Sequence, residues 1–135
     1  MTVHKSIELA TEAAEKLVDG GVKGGRVRLY RASVDFSKTT VASGDSVIML
    51  VLPDRGHIVA ARFGATVTLG TSTVKIGTTD DDDAFRAAAT KTDCKPEEMM
   101  LPFLVCAGQT VVMAVATANA PGSGIAYVDY LIADV

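Results

Sequence analysis

The sequence predicts an all-β protein: an antiparallel, jelly-roll-like β-sandwich of about eight strands, preceded by an N-terminal arm or short helix. Three observations lead there. From Arg26 onward, apolar segments of strand length recur about every ten residues, separated by Gly-, Pro-, Ser- and Asp-rich turn material. Several of these segments alternate with period two. Before Arg26 the pattern differs: apolar residues recur at helical spacing and end in a glycine-rich stretch.

The N-terminal segment is "SIELATEAAEKLVDGG". Ile7, Ala10, Ala14 and Leu17 share one helical face, Ser6 can cap its start, and Gly20 and Gly21 can stop it. The stripe is narrow and alanine-rich, so such a helix needs a surface to pack on. "GGVKGG" then places four glycines in six residues, a flexible joint. Two readings stay open for this piece: an arm that docks on a neighbouring subunit, or a helix folded back on its own domain. Residues 1–25 are thus read as arm and joint, and residues 26–135 as the sandwich domain.

"RVRLYRASV" sets Val27 and Leu29 on one face and Arg26 and Arg28 on the other. "SVIMLVLP" is an apolar run ended by Pro53, after the turn "TTVASGD". "HIVAARFGATVTL" is a long strand with a bend or bulge at Gly64. "TSTVKIG" turns Val74 and Ile76 inward, and "AFRAAATK" reads as a short strand or a helical turn. "MMLPFLVC", "QTVVMAVAT" and "GIAYVDYLIADV" complete the set, the last with Ile125 and Tyr127 in its alternation. "VIMLVL" and "VVMAVA" are apolar on both faces, whereas a sandwich buries one face of each strand. The excess face calls for cover by the arm or by another subunit, which predicts a homo-oligomer.

The chemistry-bearing residues are few. With 48% apolar and 21% charged residues and a net charge of -3, the chain reads as globular, with no general affinity for nucleic acid. No run reaches the roughly 20 apolar residues of a membrane helix, and no apolar leader opens the chain, which predicts a protein made in a cytoplasm. Cys94 and Cys106 lack CxxC spacing, and Cys106 sits in an apolar run as a buried thiol. His4 and His57 are the two histidines; His57, alone after a turn, does not make the His/Glu cluster of a jelly-roll metalloenzyme. No GxSxG elbow is present, and "GGVKGG" lacks the GK[ST] ending of a phosphate loop. The expectation is a protein with no enzymatic activity and no cofactor. Lys23, Arg26, Arg28 and Arg31, with Tyr30 among them, form a small cationic group that suits a solvated strand face or an acidic protein partner.

Asp80–Asp83 invite a metal reading. In an EF-hand register, Ala84 breaks the third ligand position and Phe85 stands where Gly is required. A looser cation site stays open. The plainer reading is an acidic turn anchored by Ile76 and Phe85.

Three pieces together, "TTVASGDSVIMLVLPDRGHIVAARF", "TVKIGTTDDDDAF" and the closing "IAYVDYLIADV", resemble the jelly-roll cement or decoration proteins of tailed-bacteriophage heads. The resemblance covers most of residues 39–135 and rests on degenerate motifs of the kind "GD…LP.G..I" and "IGT.DD.DAF"; residues 1–25 carry no matching motif. It implies a virion structural protein on the outer capsid surface, bound to the major capsid protein and to itself as a dimer or trimer. Ile7, Leu17, Arg26, Arg28, Arg31, Asp81, Asp82 and Asp83 are the contact candidates under this reading. The alternative is a ligand- or glycan-binding jelly-roll module of a phage tail or fibre. The absence of Trp and an aromatic share of 5% weigh against it.

Overall fold

A computed structural model describes residues 2–6 and 26–133. It contains nine strands and, among the described residues, no helix: β1 (Val3–Lys5), β2 (Val27–Asp35), β3 (Ser46–Val51), β4 (His57–Ala65), β5 (Thr73–Thr78), β6 (Arg86–Thr90), β7 (Glu97–Glu98), β8 (Thr110–Ala116) and β9 (Ile125–Ala133). They form two sheets, ordered β1-β3-β8-β5-β6 and β2-β9-β4-β7. The fold is the predicted jelly-roll-like β-sandwich. The helix expected from residue 7, the joint at residues 20–25, and the candidates Ile7 and Leu17 lie outside the described residues.

Period-two patterning builds the core. Val47 and Met49, Val74 and Ile76, and Val111, Met113 and Val115 point inward from the first sheet. Ala32 and Val34, Ile58, Ala61 and Phe63, and Ala126, Val128, Tyr130 and Ile132 meet them from the second. Cys106 is buried, and its thiol pKa is raised by that burial.

Several local expectations are corrected. The bulge in β4 falls between Ile58 and Ala60, not at Gly64. Gly64 keeps regular register with Tyr127, whose phenol lies where a Cβ would be, 2.4 Å from the hydroxyl oxygen. Of the two readings left open for "AFRAAATK", the structure takes the short strand, β6. "MMLPFLVC" is not a regular strand. It follows the open edge of β4 by single bonds, Met99 N–H to the Ala61 carbonyl at 2.8 Å and Ile58 N–H to the Leu104 carbonyl at 2.7 Å, and Val105 bridges His57. Pro102, lacking an N–H, sits in the gap between these contacts.

The N-terminus supplies a strand that the sequence reading assigned to the arm. β1 pairs in parallel with β3 at the sheet edge, and Ser6 continues it, donating its N–H to the Ile48 carbonyl at 2.8 Å and its hydroxyl to the Met49 carbonyl.

Candidate interaction surfaces

The two runs that looked apolar on both faces, β3 and β8, are neighbours inside the first sheet. Their outward residues Ile48, Val112 and Ala114 are half-buried. Val51 at the end of β3 and Val3 on the edge strand β1 are exposed, and a larger group of exposed apolar side chains lies on the outer face of the second sheet and along its β4 edge. Val27 and Leu29 of β2, Val59 at the β4 bulge, and Leu104 and Val105 are each more than half exposed. Exposed apolar surface therefore exists, most of it on β2, β4 and β9 rather than on β3 and β8. Alternation decides this: Ala126, Val128, Tyr130 and Ile132 fill the core, so Ile125, Tyr127, Asp129 and Leu131 must face out.

Register sorts that face into rows. Val27, Ala133 and His57 make one row, reached by Val105 across its bridge to His57. Leu29, Leu131 and Ala60 make the next. The third contains a charged residue from each strand: Arg31, Asp129, Arg62 and Glu98. Arg31 makes a two-pronged ion pair with Asp129, at 2.6 and 2.7 Å, and Arg62 reaches Glu98 at 3.1 Å. The Arg31 guanidinium also stacks on the Tyr127 ring, 4.8 Å from its centre. A shallow hollow of about 260 Å³ is lined by Ala60, Leu29 and Leu131 and by Arg31, Arg62 and Asp129 of the charged row.

The cationic candidates do not form one patch. Arg28 shares an inward row with Ile132 and Ile58 at the end of the sandwich and is half-buried, with Arg26 two residues before it. Arg31 has the opposite parity and points outward. An odd spacing along a strand divides such a group between two faces.

Asp81, Asp82 and Asp83 lie on the exposed turn between β5 and β6. The turn is anchored as its flanks predict. Phe85 is buried, meeting Tyr130 and Phe103 edge-to-face at 5.2 and 5.6 Å, and its N–H donates to the Ile76 carbonyl at 2.9 Å. Asp81 donates its N–H to the Thr78 hydroxyl at 3.1 Å, and Lys75 pairs with Asp82 at 2.6 Å. Gly77 lets the turn fold back, since a Cβ there would stand 2.2 Å from the Asp81 carbonyl oxygen. The three carboxylates fall within 4.8 Å of one another. A hydrogen bond with Asp81, and the charge beside it, raise the Asp83 pKa. This is the only such grouping of His, Cys, Asp or Glu among the described residues, and neither histidine belongs to it.

The sequence reading passed over two buried cations. Arg86 donates to the carbonyls of Val74, Ala89 and Thr90 and to Glu97. Lys91, 3% exposed, binds Asp93 at 2.6 Å and Glu97 at 3.3 Å. Both lie near the Phe63 ring. Polar residues ending "AFRAAATK" gave no sign that the next connection would fold over them.

No protein-family model matches the sequence, and no curated protein is similar to it in sequence. Its fold, however, is that of chains in solved bacteriophage capsids. A chain of the capsid of Ralstonia phage GP4 matches with a TM-score of 0.65 at 16% identity, over 99% of both chains. A chain of the cyanophage Pam1 capsid asymmetric unit gives 0.64 at 18% identity, over 90% of this chain and 94% of that one. A chain of the acid-stable capsid of Helicobacter pylori bacteriophage KHP30 gives 0.62 at 16% identity, over 80% and 87%. The protein thus has a phage-capsid-related jelly-roll fold.

Proposed function

We propose that the protein is a virion structural protein that binds the outer surface of a phage capsid and cements neighbouring major-capsid subunits. The observation that carries this reading is likeness in fold to chains of phage capsids, over 80–99% of this chain and 87–99% of those. An uncovered apolar sheet face rimmed by charge supports it, since a cement protein works by adhesion. In this reading the partners are the major capsid protein and further copies of the chain, and the work requires no catalysis, metal or cofactor. Many copies on a symmetric shell let individually weak contacts add up. Ile7 and Leu17 serve as apolar anchors of the arm, Arg26, Arg28 and Arg31 as ion-pairing groups, and Asp81–Asp83 as an acidic surface contact. Glycan binding fits less well, because Tyr127 on the outer face already carries the Arg31 guanidinium.

The test is co-sedimentation with mature heads. A fixed ratio of this chain to major capsid protein is expected, and absence from the head fraction would sink the proposal. Deleting residues 1–24 should weaken binding to shells that lack the chain; unchanged binding removes the arm from the interface.

A further inference from the structure

The connection between β7 and β8 closes one side of the sandwich. Met99 donates its N–H to the Ala61 carbonyl of β4 at 2.8 Å, and Met100 donates to the Phe85 carbonyl, just before β6, at 2.9 Å. Residues 99–105 thus form a strap that bridges the two sheets at this edge. Alternation divides its side chains. Met99 is buried, and Leu101 and Phe103 pack against the core, Phe103 edge-to-face on Phe85 at 5.6 Å. Met100, Leu104 and Val105 are 57, 60 and 54% exposed, and Pro102 is exposed with them. Sealing the edge requires only the inward set. The segment leading into the strap has the outer side expected of a solvated loop, with Thr92, Asp93, Lys95 and Glu98 exposed. The strap instead turns apolar side chains both ways, and the chain carries no charged residue from Met99 to Val128. A contiguous apolar patch of this kind marks a surface that another apolar surface covers.

The backbone and the size of the patch narrow the occupant. Among the described residues, the N–H groups of Leu101, Phe103 and Leu104 and the carbonyls of Met100, Leu101 and Pro102 make no hydrogen bond. A peptide segment can pair with such groups while covering the side chains between them, and a lipid cannot. A nucleic acid or an acidic segment would find no counter-charge on the strap. Seven residues at strand rise make a surface about 20 Å long and about 10 Å wide, about 200 Å², against about 800 Å² per partner in a standard interface. That is too little to hold two copies of the chain together in solution. It suffices for one contact among the many that a symmetric shell repeats.

We infer that the strap of residues 99–105 is a docking site for an uncharged, apolar peptide segment of the major capsid protein, seated on Met100, Pro102, Leu104 and Val105. The inference rests on the cement reading for the identity of that partner.

The test uses capsid shells that lack the chain. With p-benzoylphenylalanine in place of Leu104, irradiation of the loaded shells should attach the strap to the major capsid protein. Mass spectrometry should find the attachment in a stretch free of Asp, Glu, Lys and Arg. Attachment to a second copy of the chain, or to a charged stretch, overturns the inference. Met100→Ser combined with Leu104→Ser should bind shells about tenfold more weakly, while circular dichroism and Tm stay those of the wild type because both positions are exposed. The ratio of wild-type to variant affinity should be the same at low and high salt, since the strap carries no charge. Where the double variant misfolds, Leu104→Ser alone replaces it, with a loss of about threefold expected. A folded variant that binds like the wild type overturns this inference and leaves the cement reading standing. A wild-type chain that leaves the shells bare sinks the cement reading, and the inference with it.

Discussion

Tyr130 and Gly77 carry more of the fold than their place in the sequence suggests. Tyr130 fills the core, fully buried, and among the described residues its hydroxyl has no hydrogen-bond partner. Burial drives its pKa far upward. An unpaired buried hydroxyl is destabilising, so Tyr130→Phe should leave stability unchanged or raise it by about 1 kcal/mol in urea unfolding. A loss above that amount would mean the hydroxyl is satisfied. Two glycines separate by what lies beside them. At Gly77 a new Cβ meets the backbone of Asp81 and Asp82, which cannot step aside, and Gly77→Ala should cost about 3 kcal/mol. At Gly64 it meets the tip of Tyr127, which can swing away, and Gly64→Ala should cost under about 1 kcal/mol.

At the level of elements, two polar attachments hold what apolar packing does not. β1 is clipped by Asp45, which accepts N–H groups from Thr2 at 3.0 Å and Ala42 at 3.1 Å and faces His4 Nε2 at 3.2 Å. The Thr2 contact, first among these, lowers the Asp45 pKa. Because the folded value lies below the unfolded one, this attachment is fully present above about pH 4. It is lost as pH falls through the folded value. Amide exchange at Val3–Lys5 should therefore quicken in acid before exchange in β8, and Asp45→Asn should quicken it at neutral pH. Equal protection in both strands down to global unfolding would refute this. On the far side, Arg86 ties β6 to β5 and β7 through three carbonyls and Glu97. Arg86→Ala should cost about 3 kcal/mol, by stranding those acceptors in the interior.

For the whole molecule, the proposed adhesive role of the acidic turn can be told apart from a role in folding. A hydrogen bond with Asp81, and then the like charges beside it, raise the Asp83 pKa, so above that value its ionised carboxylate opposes folding, and protonation on acidification relieves this. Replacing Asp81–Asp83 with Asn should therefore leave stability at neutral pH no lower than wild type, while binding to capsid shells weakens. A fall in stability would assign these carboxylates to the fold, through the Lys75–Asp82 pair or the turn itself.

Much of the architecture was legible because a sandwich writes its core with period two. Val74, Ile76, Phe85 and Cys106 went inward as expected. The anchored turn around Asp80–Asp83 could be read from its apolar flanks, and the ligand spacing already argued against an EF-hand. Pairing across strands was not legible. Register places Arg31, Asp129, Arg62 and Glu98 in one row although the first and last lie 67 positions apart, and it divides Arg26 and Arg28 from Arg31. The same holds for β1 on β3 and for the connection that buries Arg86 and Lys91. By itself the sequence determined which residues face inward and where strands turn, since alternation and turn chemistry act between near neighbours. Only the tertiary structure decided which strands lie side by side, and hence which sheet face carries the exposed apolar residues and how its charges are ordered. Strand pairing depends on contacts between residues distant in the chain, which no local pattern records.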